Sequence, residues 1–268
     1  MGLLTLLKRR IWEKAIWPFR ADVPPVIEDL NVCDAYRAWA PTYAAETATS
    51  FLDEELAQEM LRGLPQTRLL DAGCGIGRRI QDIPTAVGID LSPEMLAQGD
   101  ALNVVAGDIR EMPFESNQFD MVWCRLVLGH LSNPLLAYRE ISRVCMPGGY
   151  IFVTDFHPDA VAAGHRRTLT DEAGVVHGIE HYVHINHMWL AAETGLDLLA
   201  NRDGVVSPSI RDFYLRGIGL KAYERDINLK LVAAFLFRKQ DTRETALVYR
   251  AITRQGLWQV LIAGLTIP

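Results

Sequence analysis

An apolar run ends in a glycine-rich turn at Leu69-Leu-Asp71-Ala-Gly73-Cys-Gly75-Ile-Gly77, and this pattern is the strongest indication of the fold class. Glycines after a strand let a ligand approach the backbone and let a helix begin at once. The first turn of such a helix exposes free N–H groups that suit a carboxylate or a phosphate. We therefore predict a ligand-binding turn between a strand and a helix.

Two further carboxylates stand at the ends of the next strand candidates. Asp90 closes the second strand, and an acidic residue in that place accepts both hydroxyls of a ribose. Asp108 follows the third strand, and its carboxylate can accept from an exocyclic amine such as that of adenine. These positions predict an adenosine-containing ligand along the carboxyl ends of the first three strands.

The glycine spacing predicts the other end of this ligand. A G-x-G-x-x-G turn surrounds a pyrophosphate, whereas here the order is Gly73-x-Gly75-x-Gly77, with Asp71 two residues before the first glycine. A carboxylate in that place would repel a diphosphate but would receive an ammonium group. S-adenosylmethionine joins an adenosine to a zwitterionic amino acid, and we predict it as the cofactor.

Strand and helix candidates alternate after this turn. The strand candidates are residues 68–71, 86–90, 103–107, 119–124, 150–155, 196–199 and 229–237, and the helix candidates include 93–98 and 134–144. This alternation predicts an α/β fold with a Rossmann-like, mostly parallel sheet and helices on both faces. Only nine residues separate Gly77 from Val87, and Pro84 interrupts them, so we expect the first helix to be short.

The chain is predicted to have three parts. Residues 1–30 form an N-terminal helix (1–19) and a linker (20–30), residues 31–239 form the main domain with an inserted cap at about 156–195, and residues 240–268 form a C-terminal helical extension. The helix 1–19 combines an apolar stripe with lysines and arginines. Two interpretations of it stay open, namely contact with a membrane surface and packing on the body or on a second subunit.

Charge and cysteine content exclude several classes of protein. The 268 residues carry a formal net charge of −6, and the basic start leaves the rest of the chain more acidic still. An acidic body disfavours a nucleic-acid partner. The four cysteines lie far apart with no Cys-x-x-Cys pair, which indicates a reducing, cytoplasmic setting. No apolar run reaches the ~18 residues of a membrane span.

Several motifs within residues 67–155 resemble those of one family. They are Leu70-Asp-Ala-Gly-Cys-Gly-Ile-Gly77, Val87-Gly-Ile-Asp-Leu-Ser-Pro-Glu-Met-Leu96, Ala106-Gly-Asp-Ile-Arg-Glu-Met-Pro-Phe114, Asn117-Gln-Phe-Asp120 and Met146-Pro-Gly-Gly149. The chain resembles the class I S-adenosylmethionine-dependent methyltransferases, in the small-molecule branch that includes ubiquinone/menaquinone and natural-product methyltransferases. Residues 36–43 also resemble a segment common in that branch.

The resemblance implies a role for each residue of these motifs. The methionine end of the cofactor would contact Asp71, Ala72, Gly73 and Gly75, and the ribose would contact Asp90. The adenine would lie between Leu91 and Met95, with Asp108 and the Ile109 N–H at its edge. Arg125 would contribute backbone near the sulfonium.

Methyl transfer needs a general base only where the acceptor atom is protonated. His157, His130 and His184 are the candidate bases, and Tyr36 and Tyr43 are candidate substrate contacts that close over the site. We predict O-methylation of a small, hydrophobic acceptor. Three alternatives stay open: C-methylation of a quinone- or polyketide-like acceptor, a rearrangement without methyl transfer, and a dinucleotide oxidoreductase.

A histidine run in the cap region raises the question of a metal. His177, His181, His184 and His187 would share one face of a helix, but the alternation of Val183 and Ile185 with polar residues favours a strand. On a strand, His181 and His187 would face away from His184. We therefore predict no metal site.

Overall fold

The structure is a computed structural model that describes residues 29–43 and 47–241. Within them there are ten strands, in chain order β1 (Asp29–Leu30), β2 (Leu69–Ala72), β3 (Val87–Asp90), β4 (Val104–Ala106), β5 (Phe119–Arg125), β6 (Cys145–Phe156), β7 (Thr168–Thr170), β8 (Val176–Ile179), β9 (Leu196–Val205) and β10 (Lys230–Lys239). The predicted helix 1–19 and nearly all of the predicted extension 240–268 lie outside the described residues.

Seven strands form the main sheet, in the order β4-β3-β2-β5-β6-β10-β9. The five strands from β4 to β6 pair in parallel, and β10 runs antiparallel to both of its neighbours, β6 and β9. This confirms the predicted mostly parallel sheet. The carboxyl ends of β2, β3, β4 and β5 therefore meet at one edge, as the positions of Asp71, Asp90 and Asp108 required.

Helices cover both faces of this sheet. They are α1 (Val32–Trp39), α2 (Ala48–Met60), α3 (Pro93–Leu96), α4 (Leu135–Val144), α5 (Pro158–Ala162), α6 (His187–Glu193), α7 (Arg211–Gly217) and α8 (Leu220–Asp226). Successive side chains of β5 belong to two separate clusters of core residues, one on each face of the sheet. Trp123 lies in the cluster that contains Leu52 of α2, and Val122 lies in the cluster that contains Ile141 of α4. Burial on both faces explains why these strands are apolar almost throughout.

The end of the predicted linker (residues 20–30) instead forms a strand of a small second sheet, whose strand order is β1-β8-β7. Asp29 and Leu30 pair in parallel with Gly178 and Ile179 of β8. The apolar side chain of Leu30 packs on Ile179, and Asp29 forms an ion pair with Arg166. These two residues are therefore held by the segment that was predicted as a cap and do not belong to a linker.

The predicted short helix after the glycine turn is wrong, because residues 78–86 form consecutive turns instead. The hydrogen bonds there join residues three apart, since the N–H of Ile80 binds the Gly77 carbonyl and that of Ile83 binds the Ile80 carbonyl, each at 3.0 Å. Proline at position 84 then prevents a helix from continuing to β3. The chain thus reaches β3 without the helix whose first turn was expected to supply free N–H groups.

Two other local predictions need correction. Residues 180–186 form no strand, because Tyr182 donates its N–H to the Gly129 carbonyl at 2.7 Å and so binds the connection after β5. The strand predicted over residues 150–155 is longer, because β6 begins at Cys145 and includes residues 146–149. The pairing with β5 shifts between Phe119 and Met121, so this glycine-containing stretch is an irregularity within β6. Among the described residues, no helix has the length and apolar character needed to cross a membrane.

A buried ion cluster joins α2 to the strand ends. Asp53 is fully buried and lies 2.9 Å from Arg125 and 3.1 Å from Arg79, and it accepts a hydrogen bond of 2.6 Å from the Thr154 hydroxyl. Burial alone would raise the pKa of Asp53, but the two guanidinium groups outweigh it and hold the pKa below its ordinary value. The cluster therefore depends on an ionised carboxylate at this position.

We predict that Asp53→Ala destabilises the fold by about 3–5 kcal/mol, because two arginines lose their buried partner. The free energy of unfolding from urea denaturation measures this. Glu59→Ala is the matched control, since Glu59 pairs with Arg202 on the surface, where both side chains are more than half exposed. Equal stability of Asp53→Ala and Glu59→Ala would contradict the importance of the buried cluster.

Candidate functional site

A cavity of about 670 Å³ lies at the carboxyl ends of β2, β3 and β5. Most residues predicted for the site line it, namely Gly73, Gly75, Asp90, Leu91, Asp108, Ile109, Arg125, Tyr36, Tyr43 and His130. Five predicted residues do not line it, namely Asp71, Ala72, Met95, His157 and His184. The structure therefore brings together the ends of three strands with α1 and the turn after β5.

The glycine turn forms the floor of this cavity. A Cβ atom at Gly73 would come within 2.3 Å of the Val127 side chain, so no larger residue fits there without a shift. A Cβ atom at Gly75 would lie 3.4 Å from the Tyr43 ring, and its φ of 58° is one that glycine adopts without strain. The turn thus brings bare backbone to the cavity.

Asp90 connects this turn to the next helix. One carboxylate oxygen accepts the Gly75 N–H at 2.7 Å, and the other accepts the Ser92 N–H at 2.9 Å. Burial raises the pKa of Asp90 above its ordinary value, although these N–H groups act in the opposite direction. Each oxygen keeps a second lone pair, so the carboxylate can still accept two hydroxyl groups from the cavity.

Asp71 is fully buried behind the turn, and neither of its carboxylate oxygens has a hydrogen-bond partner among the described residues. Burial raises its pKa, while the nearby Arg79 and Arg125 lower it. A buried carboxylate without a partner is costly and calls for a cation or a donor that completes it. This orphaned group fits a ligand that carries an ammonium group.

The adenine end of the site differs from the expectation. Asp108 is held by Arg110 through a hydrogen bond of 2.6 Å from the guanidinium and one of 2.8 Å from the backbone N–H. Hydrogen bonds from Arg110 lower the pKa of Asp108. Leu91 is 51% exposed at the cavity whereas Met95 is fully buried, so the structure does not present the two as facing walls.

Arg125 lines the cavity, while its guanidinium forms an ion pair with the buried Asp53 at 2.9 Å. Leu126 follows in a left-handed conformation, with φ of 59°, and its N–H binds the Thr154 carbonyl at 2.9 Å. A non-glycine residue in that conformation is strained and is commonly found at functional sites. The sequence does not predict this conformation, because a leucine rarely adopts the left-handed backbone conformation.

Of the residues predicted to contact or deprotonate the methyl acceptor, Tyr36 and His130 are hydrogen-bonded to each other. The Tyr36 hydroxyl lies 2.8 Å from His130 Nε2, and His130 Nδ1 lies 3.5 Å from the Glu180 carbonyl. Since a carbonyl only accepts, we assign the proton to Nδ1, so that Nε2 accepts from the hydroxyl. Burial and the nearby Arg167 hold the pKa of His130 well below its ordinary value, so this imidazole is neutral.

The other predicted histidines lie away from the cavity lining. His157 caps α5, where its Nδ1 accepts the Asp159 N–H at 3.0 Å, and it faces Asp203 of β9. His184 donates from Nε2 to the carbonyls of Leu128 and Leu131. The structure therefore gives both a structural contact. Among the described residues, no group of three His, Cys, Asp or Glu side chains is arranged to hold a metal ion.

Five arginines that line the cavity were not predicted as site residues, namely Arg37, Arg78, Arg79, Arg110 and Arg167. Arg78 and Arg79 follow the glycine run directly, and that adjacency was a usable signal. Arg167 comes from the segment between β6 and β9 and donates to the Leu126 carbonyl at 2.8 Å. Nothing in its local sequence distinguishes it from its neighbour Arg166, which pairs with Asp29.

Comparison with known proteins shows that the part of the chain that forms this cavity resembles methyltransferases. A family model described as a methyltransferase domain matches residues 70–153, which run from β2 to β6. The chain is 41% identical over 99 residues to a malonyl-[acyl-carrier protein] O-methyltransferase of Herminiimonas arsenicoxydans, a match that covers 34% of this chain and 38% of that protein. It is 31% identical over 134 residues to cycloartenol-C-24-methyltransferase 1 of Oryza sativa subsp. japonica, covering 43% and 39%.

A solved structure agrees with the fold. A putative S-adenosylmethionine-dependent methyltransferase from Listeria monocytogenes superposes with a TM-score of 0.56 at 16% identity, covering 71% of this chain and 98% of that one. At this identity the likeness concerns the fold. The chain spans less than two thirds of the length of the two relatives above, and the matched region contains the glycine turn, Asp90 and Asp108.

We predict that Asp90→Ala weakens the binding of S-adenosylhomocysteine at least about tenfold, because a charged acceptor of hydrogen bonds is lost. Isothermal titration calorimetry measures the dissociation constant, and thermal unfolding checks that the turn survives. Asp82→Ala serves as the control, since Asp82 is exposed and does not line the cavity. An Asp90→Ala protein that is folded and binds with the original affinity would refute the ribose assignment.

Proposed function

Since the chain carries a class I S-adenosylmethionine-dependent methyltransferase domain, we propose that it transfers a methyl group to an oxygen atom of a small, hydrophobic acceptor. The observation that carries the proposal is the cavity at the strand ends, where Asp90 fixes the bare backbone of Gly75 and keeps room for two hydroxyls. The buried, unpartnered Asp71 supports the same cofactor, because it fits the ammonium group of the amino-acid end.

The cofactor supplies an activated methyl group on a sulfonium, whose departure as a thioether needs no protonation. The chain's own residues would bind and align the two reactants: the glycine turn and Asp90 on the cofactor side, and α1 with the turn after β5 on the acceptor side. Alignment in a water-excluding cavity accounts for much of the rate enhancement in reactions of this kind.

The acceptor side is aromatic. Tyr36, Trp39 and Tyr43 lie in contact, with ring centroids 4.7–6.3 Å apart, and His130 meets the edge of Tyr36 at 5.2 Å. An aromatic wall suits an apolar acceptor. A hydroxyl acceptor that displaces the Tyr36 hydroxyl could give its proton to Nε2 of His130, which is neutral and already directed to an O–H donor.

The presence of His130 as a proton acceptor favours oxygen over carbon as the atom that receives the methyl group. The name of the Herminiimonas relative, an O-methyltransferase, agrees with this choice. The rice relative, named as a C-24-methyltransferase, keeps C-methylation as the second candidate. Both reactions need the same cofactor site, and a rearrangement without methyl transfer would need it too. The difference must come from the products.

The test has two stages. Calorimetric titration with S-adenosylhomocysteine and with NAD should show saturable binding of the former alone. Radiolabelled S-[methyl-³H]adenosylmethionine is then offered with a malonyl thioester, an alkylphenol or an alkylated naphthoquinol, which present a carboxyl oxygen, a phenol oxygen and a ring carbon. Label in an oxygen product supports the proposal. Label in the ring carbon alone, or binding of NAD alone, would overturn it.

We predict that His130→Gln lowers the rate with a hydroxyl acceptor about 100-fold, because the proton acceptor is lost while the cavity keeps its shape. Cofactor affinity should be unchanged. The rate of the unaltered protein should stay level as the pH falls through about 6.5, the ordinary imidazole value, and should drop only when His130 gains a proton at its lowered pKa.

His157→Ala provides the matched control for this variant. His157 lies outside the cavity lining, so its substitution should leave the rate at the original value. A large loss in His157→Ala with an unaffected His130→Gln would show that the proton acceptor is at the other histidine.

A further inference from the structure

Four backbone N–H groups of the glycine turn, those of Gly73, Cys74, Gly75 and Gly77, already bind acceptors within the protein. Those of Gly73 and Cys74 bind the Ile89 carbonyl at 2.7 and 3.0 Å, and that of Gly75 binds Asp90. The N–H of Gly77 binds the Cys74 carbonyl at 3.0 Å. No α-helix follows, so the turn lacks the aligned row of N–H groups that a helix start offers to an anion, and the N–H groups without a partner among the described residues are those of Ile76, Arg78 and Arg79.

The shortage of free N–H groups affects the binding of the amino-acid end of the cofactor, and the inference therefore rests on the proposed function. S-adenosylmethionine carries an α-carboxylate beside its α-ammonium group. A carboxylate that enters a cavity partly shielded from water needs a cationic or N–H donor to offset its lost hydration. The glycines of the turn cannot be that donor, because their N–H groups already bind protein acceptors.

Arg79 is an unsuitable partner, because it is committed elsewhere. Its guanidinium donates to Asp53 at 3.1 Å, and its side chain is only 13% exposed. The two carboxylates of Asp53 and Asp71 raise its pKa further above the ordinary value, against the effect of burial. Arg79 therefore balances buried acids of the protein.

Arg78, the residue before it, is placed differently. It is exposed, it lines the same cavity as Gly73 and Gly75, and within the described part of the chain it forms no hydrogen bond or ion pair. Its charge acts on the Tyr43 hydroxyl, whose ring lies 3.4 Å from the position of a Cβ atom on Gly75. A guanidinium is thus available at the turn where the amino-acid end is expected.

We propose that Arg78 binds the α-carboxylate of the cofactor in place of the missing helix N-terminus. A guanidinium can hold a carboxylate through two parallel N–H···O bonds, which gives one side chain the role that several backbone N–H groups would otherwise share. Arg78 is then a specificity residue for the amino-acid end, while Asp90 serves the ribose and Asp71 the ammonium group.

The test compares two ligands that differ in the amino-acid end. S-adenosylhomocysteine carries the α-carboxylate, whereas 5′-methylthioadenosine has the same nucleoside and thioether without it. Calorimetric titration is carried out on the full chain and on Arg78→Met, Arg78→Lys and Arg62→Met. Arg62 is an exposed arginine that lines a separate groove on α2, so it controls for the loss of one positive charge.

Arg78→Met should weaken S-adenosylhomocysteine at least about tenfold and leave 5′-methylthioadenosine unchanged, since only the former loses a charged hydrogen bond. Arg78→Lys should recover part of the loss, and Arg62→Met should bind both ligands normally. An equal effect of Arg78→Met on both ligands, or no effect on either, would overturn the proposal. Failure of the unaltered chain to bind either ligand would instead refute the proposed function, and the role of Arg78 with it.

Discussion

The candidate site depends on the two hydrogen bonds that the Asp90 carboxylate accepts. They join Gly75, in the turn after β2, to Ser92, at the start of α3, so that two neighbouring connections at the sheet edge are held together. The opposite side of the turn is set by Val127, which leaves no room for a side chain at Gly73. The backbone of the turn is therefore fixed on both sides, and its position follows from the order of β3, β2 and β5 in the sheet.

A second layer of charge lies beneath this turn. Asp53, Asp71 and Arg125 are buried between α2 and the strand ends, and Asp53 forms ion pairs with Arg125 and with the partly buried Arg79. Asp71 takes no part in these hydrogen bonds. Buried charges that are paired hold the surrounding groups in one arrangement, whereas an unpaired charge is retained at a cost. Asp53 is thus held by ion pairs, whereas both oxygens of Asp71 lack a hydrogen-bond partner among the described residues, and on that ground we propose Asp71 as the group that receives the ammonium.

The sequence predicted those parts of the molecule that follow from local pattern. The parallel order of β2, β3 and β4 with Asp90 and Asp108 at their ends could be predicted, because strand periodicity and chain order determine which ends meet. The missing helix after Gly77 could not, although Pro84 and the short connection indicated a disturbance. Tyr36 and His130 were predicted separately, but their hydrogen bond joins residues 94 positions apart and depends on how α1 is anchored through β1 to β8. The position of Arg167 at the cavity could not be predicted from its local sequence, because it depends on how residues 157–195 fold over the turn after β5.

In the proposed binding mode, an adenosine joined to an amino acid lies along the strand ends in one fixed direction. A crystal structure of the full chain with S-adenosylhomocysteine tests it most directly. We expect the ribose hydroxyls to contact the Asp90 carboxylate and the amino-acid end to lie over Gly73 and Gly75, on the side of Asp71. A ligand bound in the reverse direction, or bound outside this cavity while Asp90 contacts only protein, would contradict it.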